Sequence, residues 1–537
     1  MMNTFKISTF ILCVFKNIII AYNYKYNYNI ININISMTTA AKLKKIEDKE
    51  LEIVKAAVED IEQRKGRKLV NAPEVQVIIN TVEKFIISKK LVCYGGTAIN
   101  NIMPEQYRFY NTDIEIPDYD FYSPNAIDDA RELADIFFKM GYNEVEAKAG
   151  AHPGTFKVFV NFMAIADITN MERTLFKTLQ SRSFIKGGIH YAPTDFLRMA
   201  MYLELSRPEG DISRWEKVLK RLTLLNTAYP LKLRKCNSIE LQRPFGSVGN
   251  SKNSKSKTSK KDGRESRAVQ SQVYDITQRV LLNSDVVFIG GFADILYTKY
   301  LPKKEQHKMM RNPEFDVLSN SPKDLAELIK MTLVTNGIDG VHVEKMPGIG
   351  EIVSDHYKVS VGDDIVVLIY KPTACHSYNT VKLNGHPIKV ASVDTMLMLY
   401  LAFSYSERDY YNRDRIMCLA SLLFYIQNQN RTVQTGLLKR FGRSCFGTQE
   451  TLESLRKEKA VKYDELKGNK SSDEYQKLFL RYIPLMLRSS KTRVARKYKS
   501  MAVKSKSKSK RRGSNARSRT RRSKDESMES VRAERLN

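Results

Sequence analysis

The chain carries an internal duplication. Pro117-Asp-Tyr-Asp-Phe-Tyr-Ser lies over Pro313-Glu-Phe-Asp-Val-Leu-Ser, and the register holds without gaps to Gly141 over Gly337. Upstream, a strand-like run enters a glycine pair twice, as LVCYGGTAIN with Gly95 and Gly96 and as VVFIGGFADI with Gly290 and Gly291. Downstream, KVFVNFMAIADITN (157–170) lies over KVSVGDDIVVLIYK (358–371), Asp195 over Asp394, and the run from Trp215 over the run from Arg413. Five matches in the same order, over roughly 86–230 and 281–428, require two copies of one structural unit. Each copy reads as strand, Gly-Gly turn, helix, a strand bearing an acidic pair, a helix (Asp128–Met140; Lys323–Thr335), two strands joined by a glycine-containing turn, then amphipathic helices. The fold class that follows is α/β (α+β): a tandem duplication of a mixed sheet plus helical unit.

Around the copies the composition sets boundaries. The 537 residues suit three or four domains at about 100–200 residues each. Residues 1–36 are dominated by Ile, Asn, Tyr and Lys, and the composition turns ordinary and amphipathic at Met37; we read 1–36 as a non-native leader and Met37 as the start. Residues 37–85 read as N-terminal helices packed on the first copy. The first copy divides into an α/β domain at 86–188 and a helical unit at 189–246. A Ser/Lys-rich linker follows at 247–270, then an α/β domain at 271–388, a helical unit at 389–487 and a disordered basic tail at 488–537. The formal net charge is +29, and residues 488–524 hold 17 Lys or Arg and no acid. Such a balance favours a polyanionic partner, nucleic acid before membrane. No stretch after the leader reaches the ~18 apolar residues of a membrane span, so the protein reads as soluble. The six cysteines (13, 93, 236, 375, 418, 445) include no CxxC and, with seven scattered histidines, give no zinc signature; they read as free thiols in a reducing compartment.

The chemistry concentrates in the first copy. Asp118 and Asp120 alternate with Tyr119 and Phe121. On a strand this puts both carboxylates on one face, about 6–7 Å apart, with the aromatics on the other. Carboxylates so close repel unless a divalent cation neutralises them. Asp167 ends the apolar run VFVNFMAIAD, and an acid ending a buried strand is costly unless it points into a site. Three convergent carboxylates suit two Mg²⁺ (or Mn²⁺) ions in nucleotidyl transfer, one activating an attacking hydroxyl and one holding the triphosphate. The Gly95-Gly96-Thr97 turn into a helix suits phosphate, through backbone N–H groups at a helix N-terminus and the Thr97 hydroxyl. Lys177 and Lys217 are further candidates for the triphosphate, with a solvated helix face as the alternative for each. Asp195 reads as a helix N-cap.

Gly95-Gly96, Asp118-x-Asp120 and Asp167 together resemble the signature of the nucleotidyltransferase superfamily, which includes poly(A) polymerases and CCA-adding enzymes. The tandem arrangement with YGGTAIN and PDYDFYS resembles, more specifically, the catalytic subunit of the poly(A) polymerases of large cytoplasmic DNA viruses, of the poxvirus and giant-virus type. The resemblance covers about 40–487, with specificity confined to the motif blocks. One departure is the 21 residues between Gly96 and Asp118, longer than is usual in the wider superfamily. The resemblance implies ATP as substrate, the 3′-hydroxyl of mRNA as acceptor and template-free addition of AMP. It implies a homodimer or a heterodimer with a cap-modifying subunit. It also implies residence in the cytoplasm of an infected cell, at the viral factory, or packaging in the virion. Transfer from UTP or CTP, and a non-catalytic RNA-binding subunit, stay open as alternatives. In the second copy Glu314 and Asp316 keep two acids, but Leu368 stands where Asp167 does. Leucine cannot ligate a metal, so this copy reads as catalytically degenerate, covering the first copy and offering RNA-binding surface. Gly348-Ile-Gly350 reads as a hairpin turn.

Overall fold

In the computed structural model, which describes residues 37–232, 241, 243, 262–306 and 313–484, each repeat builds one eight-stranded mixed sheet. The first contains β1 (Val92–Tyr94), β2 (Tyr119–Ser123), β3 (Val145–Ala149), β4 (Thr155–Val160), β5 (Met163–Asn170), β6 (Phe184–Lys186) and β7 (Ile189–Tyr191). The second contains β8 (Val287–Ile289), β9 (Phe315–Leu318), β10 (Val341–Met346), β11 (His356–Val361), β12 (Asp364–Tyr370), β13 (His376–Leu383), β14 (His386–Ala391) and β15 (Cys445–Phe446), while β16 (Arg481–Tyr482) returns to the edge of the first. The orders are β16-β3-β4-β5-β2-β1-β7-β6 and β10-β11-β12-β9-β8-β14-β13-β15. With the edge strands β16 and β15 set aside, these are one topology written twice. In both, the acid-bearing strand runs antiparallel to the strand before the glycine turn and parallel to the third strand of the meander. The duplicated sheet plus helices is thus a mixed α/β architecture, as the sequence order implies.

Local sequence explains the elements. In β2 the burial alternates, with Tyr119 and Phe121 in the core, the period-2 pattern of a half-buried strand. Helix Ala126–Lys139 buries Ala126, Ala130, Leu133, Ala134 and Phe137 on one stripe; its counterpart Pro322–Thr335 buries Leu325, Ala326, Ile329 and Leu333 and starts with Pro at its first turn. The two copies join through their helices, Thr194–Leu205 packing on Val393–Phe403. Helix Met37–Val70 belongs with residues 111–116 to a separate compact unit; Val77–Tyr110 and everything from Pro117 form the other, which holds both sheets. No described helix is long and apolar enough to cross a membrane.

Four readings change. Residues 157–170 are not one strand ended by Asp167 but a hairpin of β4 and β5, reversing at Asn161 and Phe162, both at positive φ. Phe162 is 83% exposed at this tip, and an apolar residue there hides the turn from hydropathy. Asp167 is therefore the fifth residue of β5 rather than its end. The stretch read as linker to 270 already carries helix Asp262–Leu282; the remainder of that linker, like 1–36 and 485–537, lies outside the described residues. Free thiols are the third correction: Cys375 and Cys445 form a disulfide between β13 and β15, and Cys418 is also disulfide-bonded, while Cys93 is free and buried. A sequence separation of 70 gives no local signal of such a pairing. Finally, Asp195 is not an N-cap. Pro193 occupies that position, and Asp195 pairs with the buried Arg198 at 2.7 Å.

Candidate active site

The sheet register brings the carboxylates together. Asp120 on β2 pairs directly with Asp167 on the parallel β5, and Asp118 precedes Asp120 by one pleat. The parallel pairing arises because helix Ala126–Lys139 and the β3–β4 excursion carry the chain back to β2 as the neighbour of β5. On the other side of β2, Tyr94 of β1 stands opposite Asp120, so the turn that follows Tyr94 lies beside Asp118.

That turn explains both glycines. Gly95 has φ +75°, and a Cβ there would collide with the Asp120 carboxylate; a Cβ on Gly96 would collide with the Tyr110 hydroxyl and the Arg221 guanidinium. Only glycine combines the left-handed backbone with this approach. Helix Gly95–Ile102 opens directly from the turn, and its first residues line a cavity of about 440 Å³. The Thr97 hydroxyl is not free for a ligand: it donates to the Asp118 carbonyl oxygen at 2.7 Å and so ties the turn to the acidic strand.

The cavity is lined by Gly95, Gly96, Thr97, Asp118, Asp120 and Asp167 on the sheet side and by Arg214, Lys217 and Arg221 on the helical side. Lys217 therefore faces the carboxylates, as its charge effect on Asp118 also shows. Lys177, in contrast, is exposed on helix Arg173–Ser181 and lines no part of this cavity. Three cations were missed from sequence. Arg221 lies one helical turn after Lys217 and stacks over Phe109 and Tyr110, whose hydroxyl accepts from it; the i,i+4 spacing was the available signal. Arg214 precedes the same helix. Lys157 on β4 stands opposite Asp167 in the antiparallel register and forms an ion pair with it; reading 157–170 as one strand concealed this. Asn100 fixes Phe109 and Tyr110, its side-chain oxygen accepting from both backbone N–H groups at 2.9 Å.

Crowding of the acids shows in their protonation. Burial, then Asp118 and Asp167, pushes Asp120 up to about 7 against the pull of Lys157 and Arg214. Burial and Asp167 also raise Asp118, opposed by Lys157 and Lys217. The donor set is hard, anionic and under-neutralised, which suits a divalent cation of the Mg²⁺ class. The oxygens of the three aspartates do not by themselves close to within 4.8 Å of one another; among the described residues Glu209, Cys375 and Cys445 alone do so, and those cysteines are in the disulfide.

The second copy shows what replaces that need. Gly290 again has φ +66° and abuts Asp316, and Gly291 abuts Glu314. Leu368 pairs with Asp316 in the register that joins Asp167 to Asp120. Both remaining acids are occupied by guanidinium groups. Arg243 reaches Asp316 at 2.7 and 3.2 Å, and Arg415 reaches Glu314 at 2.9 Å. All four side chains are nearly inaccessible to solvent.

Residues 80–211 match the family model described as "Poly(A) polymerase catalytic subunit". The chain is 30% identical over 185 residues to a putative poly(A) polymerase catalytic subunit of African swine fever virus (strain Badajoz 1971 Vero-adapted), covering 33% of this chain and 38% of that protein. It is 30% identical over 167 residues to a protein of the same description from Acanthamoeba polyphaga mimivirus, covering 30% and 27%. The matches thus span well under half the length of these relatives. Across the whole fold the protein resembles the crystal structure of the Megavirus polyadenylate synthase, with a TM-score of 0.63 and 19% identity over 82% of this chain and 86% of that one. The resemblance to the viral poly(A) polymerase catalytic subunits, carried first by Gly95-Gly96, Asp118-x-Asp120 and Asp167, is borne out.

Proposed function

We propose that the protein is a template-independent poly(A) polymerase that adds AMP from ATP to the 3′-hydroxyl of mRNA and releases pyrophosphate. The observation that carries this reading is the convergence, in one cavity, of Asp118, Asp120 and Asp167 with the Gly95–Gly96 turn and the facing Lys217, Arg214 and Arg221. Catalysis lies in the 86–188 domain, nucleotide and RNA contacts in the 189–246 unit. The 271–388 and 389–487 repeat supports them without chemistry of its own. The resemblance to viral poly(A) polymerases supports action in the cytoplasm of an infected cell, as a dimer or with a cap-modifying subunit. The basic 488–524 segment adds salt-dependent hold on RNA.

Each residue has a defined task. The N–H groups at the start of helix Gly95–Ile102, together with Lys217 and Arg221, meet the negative charge of the β- and γ-phosphates, the place for a leaving pyrophosphate. Asp118, Asp120 and Asp167 would hold two divalent cations, Mg²⁺ or Mn²⁺, which supply Lewis-acid activation of the attacking hydroxyl and charge neutralisation on the leaving group. Asp167 stands on the side of β2 away from the Gly turn, towards the acceptor. Lys157 holds the Asp167 carboxylate in place. Tyr110, fixed by Asn100, keeps Arg221 aimed over Gly96.

Extension of a labelled RNA primer with Mg²⁺ and each nucleoside triphosphate separately, wild type beside Asp167→Asn, tests the reading. Long products with ATP alone, lost in the variant, are the expected result. Preference for UTP or CTP would retain the mechanism and change the substrate. Purified protein that extends no primer with any nucleotide, alone or with its partner subunit, would overturn the proposal.

A further inference from the structure

The junction between the two copies gathers a group of metal-binding side chains outside the candidate active site. Helix Thr194–Leu205 of the first copy ends at Ser206, whose carbonyl oxygen accepts from the Ser377 N–H of β13 at 2.7 Å. The loop that follows folds back on itself, the Gly210 N–H donating to the Arg207 carbonyl at 3.0 Å. Gln449, just beyond β15, lies against Gly210. Three stretches far apart in sequence are thus packed together: this loop, β13 and β15. Each supplies one ligand. The Glu209 carboxylate, the Cys375 sulfur and the Cys445 sulfur all lie within 4.8 Å of one another.

The two cysteines are joined in a disulfide, a form in which neither sulfur ligates a metal as thiolate. In the cytoplasm, where the proposed function would have the protein act, thiols are held reduced. A thiol reductant of the glutathione class supplies two electrons and two protons, which break the S–S bond and leave two thiols, the reductant departing as its own disulfide. Two thiols beside a carboxylate suit Zn²⁺ rather than Mg²⁺ or Ca²⁺, because thiolate is a soft donor. Bonds of about 2.3 Å to sulfur and about 2.0–2.2 Å to a carboxylate oxygen set tetrahedral ligands roughly 3.5–3.8 Å apart, a spacing these three atoms reach by side-chain rotation. At the same junction the Gln449 side-chain oxygen is buried and has no hydrogen-bond partner among the described residues, one more acceptor that a cation would satisfy.

Resting on the proposed function only for the reducing surroundings, we propose that Glu209, Cys375 and Cys445 form a Zn²⁺ site in the reduced protein, with water at the fourth position. Binding sends the two thiol protons to solvent, and the resulting thiolates and the Glu209 carboxylate neutralise the ion. The ion joins what the disulfide joins, β13 to β15, and adds the loop of the first copy. None of the three ligands lines the cavity of the candidate active site. Their loop nevertheless runs directly into Arg214 and the helix Trp215–Ala228, which carries Lys217 and Arg221. Zinc would therefore fasten the cationic wall of that cavity to the second copy, a link that the disulfide does not make.

The test uses the full chain, reduced with a phosphine and desalted under inert gas, with Zn²⁺ and Co²⁺ as probes. Competition with a chromophoric chelator reads Zn²⁺ uptake, and the charge-transfer absorption of the Co²⁺ form reads thiolate ligation. Reduced wild type is expected to take up one more Zn²⁺ per chain than Cys375→Ser, and its Co²⁺ form to show a thiolate band that the variant lacks. Reoxidised wild type should match Cys375→Ser. Glu209 is exposed, so Glu209→Ala tests the third ligand without disturbing the core and should weaken Zn²⁺ binding by about tenfold or more. Equal uptake by reduced wild type and Cys375→Ser, equal uptake by reduced and oxidised protein, or a Co²⁺ form without the band would overturn the inference. Protein that extends RNA with ATP but takes up no zinc at these cysteines would sink this inference alone; zinc uptake by protein that extends no primer would support it while the polymerase reading failed.

Discussion

The two arginines that pair with the acids of the second copy set a quantitative expectation for stability. Arg243–Asp316 and Arg415–Glu314 are ion pairs whose side chains are between 2% and 8% exposed. Arg243→Met would leave Asp316 charged and buried with no counterion, and Asp316→Leu would strand Arg243 in the same way. Removing one partner of such a pair costs about 3–5 kcal/mol, whereas replacing both with apolar groups of similar size is often close to neutral. At about 2–4 °C per kcal/mol for a domain of 150–250 residues, each single variant should melt roughly 6–20 °C lower. The double variant Arg243→Met/Asp316→Leu should recover most of that loss, because Leu at 316 would face Leu368 across the β9–β12 pair. Thermal denaturation followed by circular dichroism measures the shifts, and primer extension well below the transition measures turnover. Turnover per folded molecule should stay within about threefold of wild type in all three variants, while Asp167→Asn abolishes it. Loss of turnover in Asp316→Leu equal to that in Asp167→Asn would show that the second copy takes part in the chemistry. An unshifted melting point in Arg243→Met would show that its guanidinium does not neutralise the site.

Other outcomes follow from the first copy. Because the folded, metal-free protein holds the Asp120 proton up to about 7, while an unfolded chain releases it near the ordinary carboxylate value, this group's ionisation destabilises the metal-free fold as pH rises towards 7. Cation binding needs the ionised form, so Mn²⁺ affinity should strengthen by up to about tenfold per pH unit below 7 and level off above it; a flat titration between about pH 5.5 and pH 7 would contradict the crowding described. Lys217→Ala and Arg221→Ala should each raise the KM for ATP by about tenfold or more, and Lys177→Ala, exposed on its helix, should change it by less than about twofold. Equal effects of Lys177 and Lys217 would place the triphosphate elsewhere. Cys445→Ser opens a closure of 70 residues and should cost about 2–4 kcal/mol in chemical denaturation, without changing the order of the nucleotide preferences.

The sequence disclosed what depends on short periods and on self-comparison. Tyr119 and Phe121 alternate with Asp118 and Asp120, so the strand and its buried face are written in four consecutive residues. The Gly-Gly pair is visible because the chain writes it twice, each time beside an acid that leaves no room for a Cβ. What stayed hidden depends on reversals and long-range partners. The β4–β5 turn is made by Asn161 and Phe162, residues without a turn signature in an apolar run, and missing it displaced Asp167 within its strand and concealed Lys157. Arg243 and Arg415 are separated from their acids by 73 and 101 positions, so no local pattern connects them.

The two copies together turn these omissions into an argument about the site. In one sheet position three carboxylates face Lys157, Lys217 and Arg214, cations that stand on exposed or half-exposed side chains and leave Asp120 raised to about 7. In the duplicate, the same glycine turn and the same strand register hold two acids against two buried guanidinium groups. Fixed cations satisfy a site that no longer exchanges anything, since a buried Arg cannot leave and cannot lower its charge. Incomplete neutralisation in the first copy has the opposite property. It preserves a demand for positive charge that, on the proposed reading, a diffusible divalent cation would meet. The second copy is therefore the internal comparison for the first: there the acid pair is filled with arginine, while the first copy leaves its acids under-neutralised beside an open cavity, the arrangement that the proposed reaction requires.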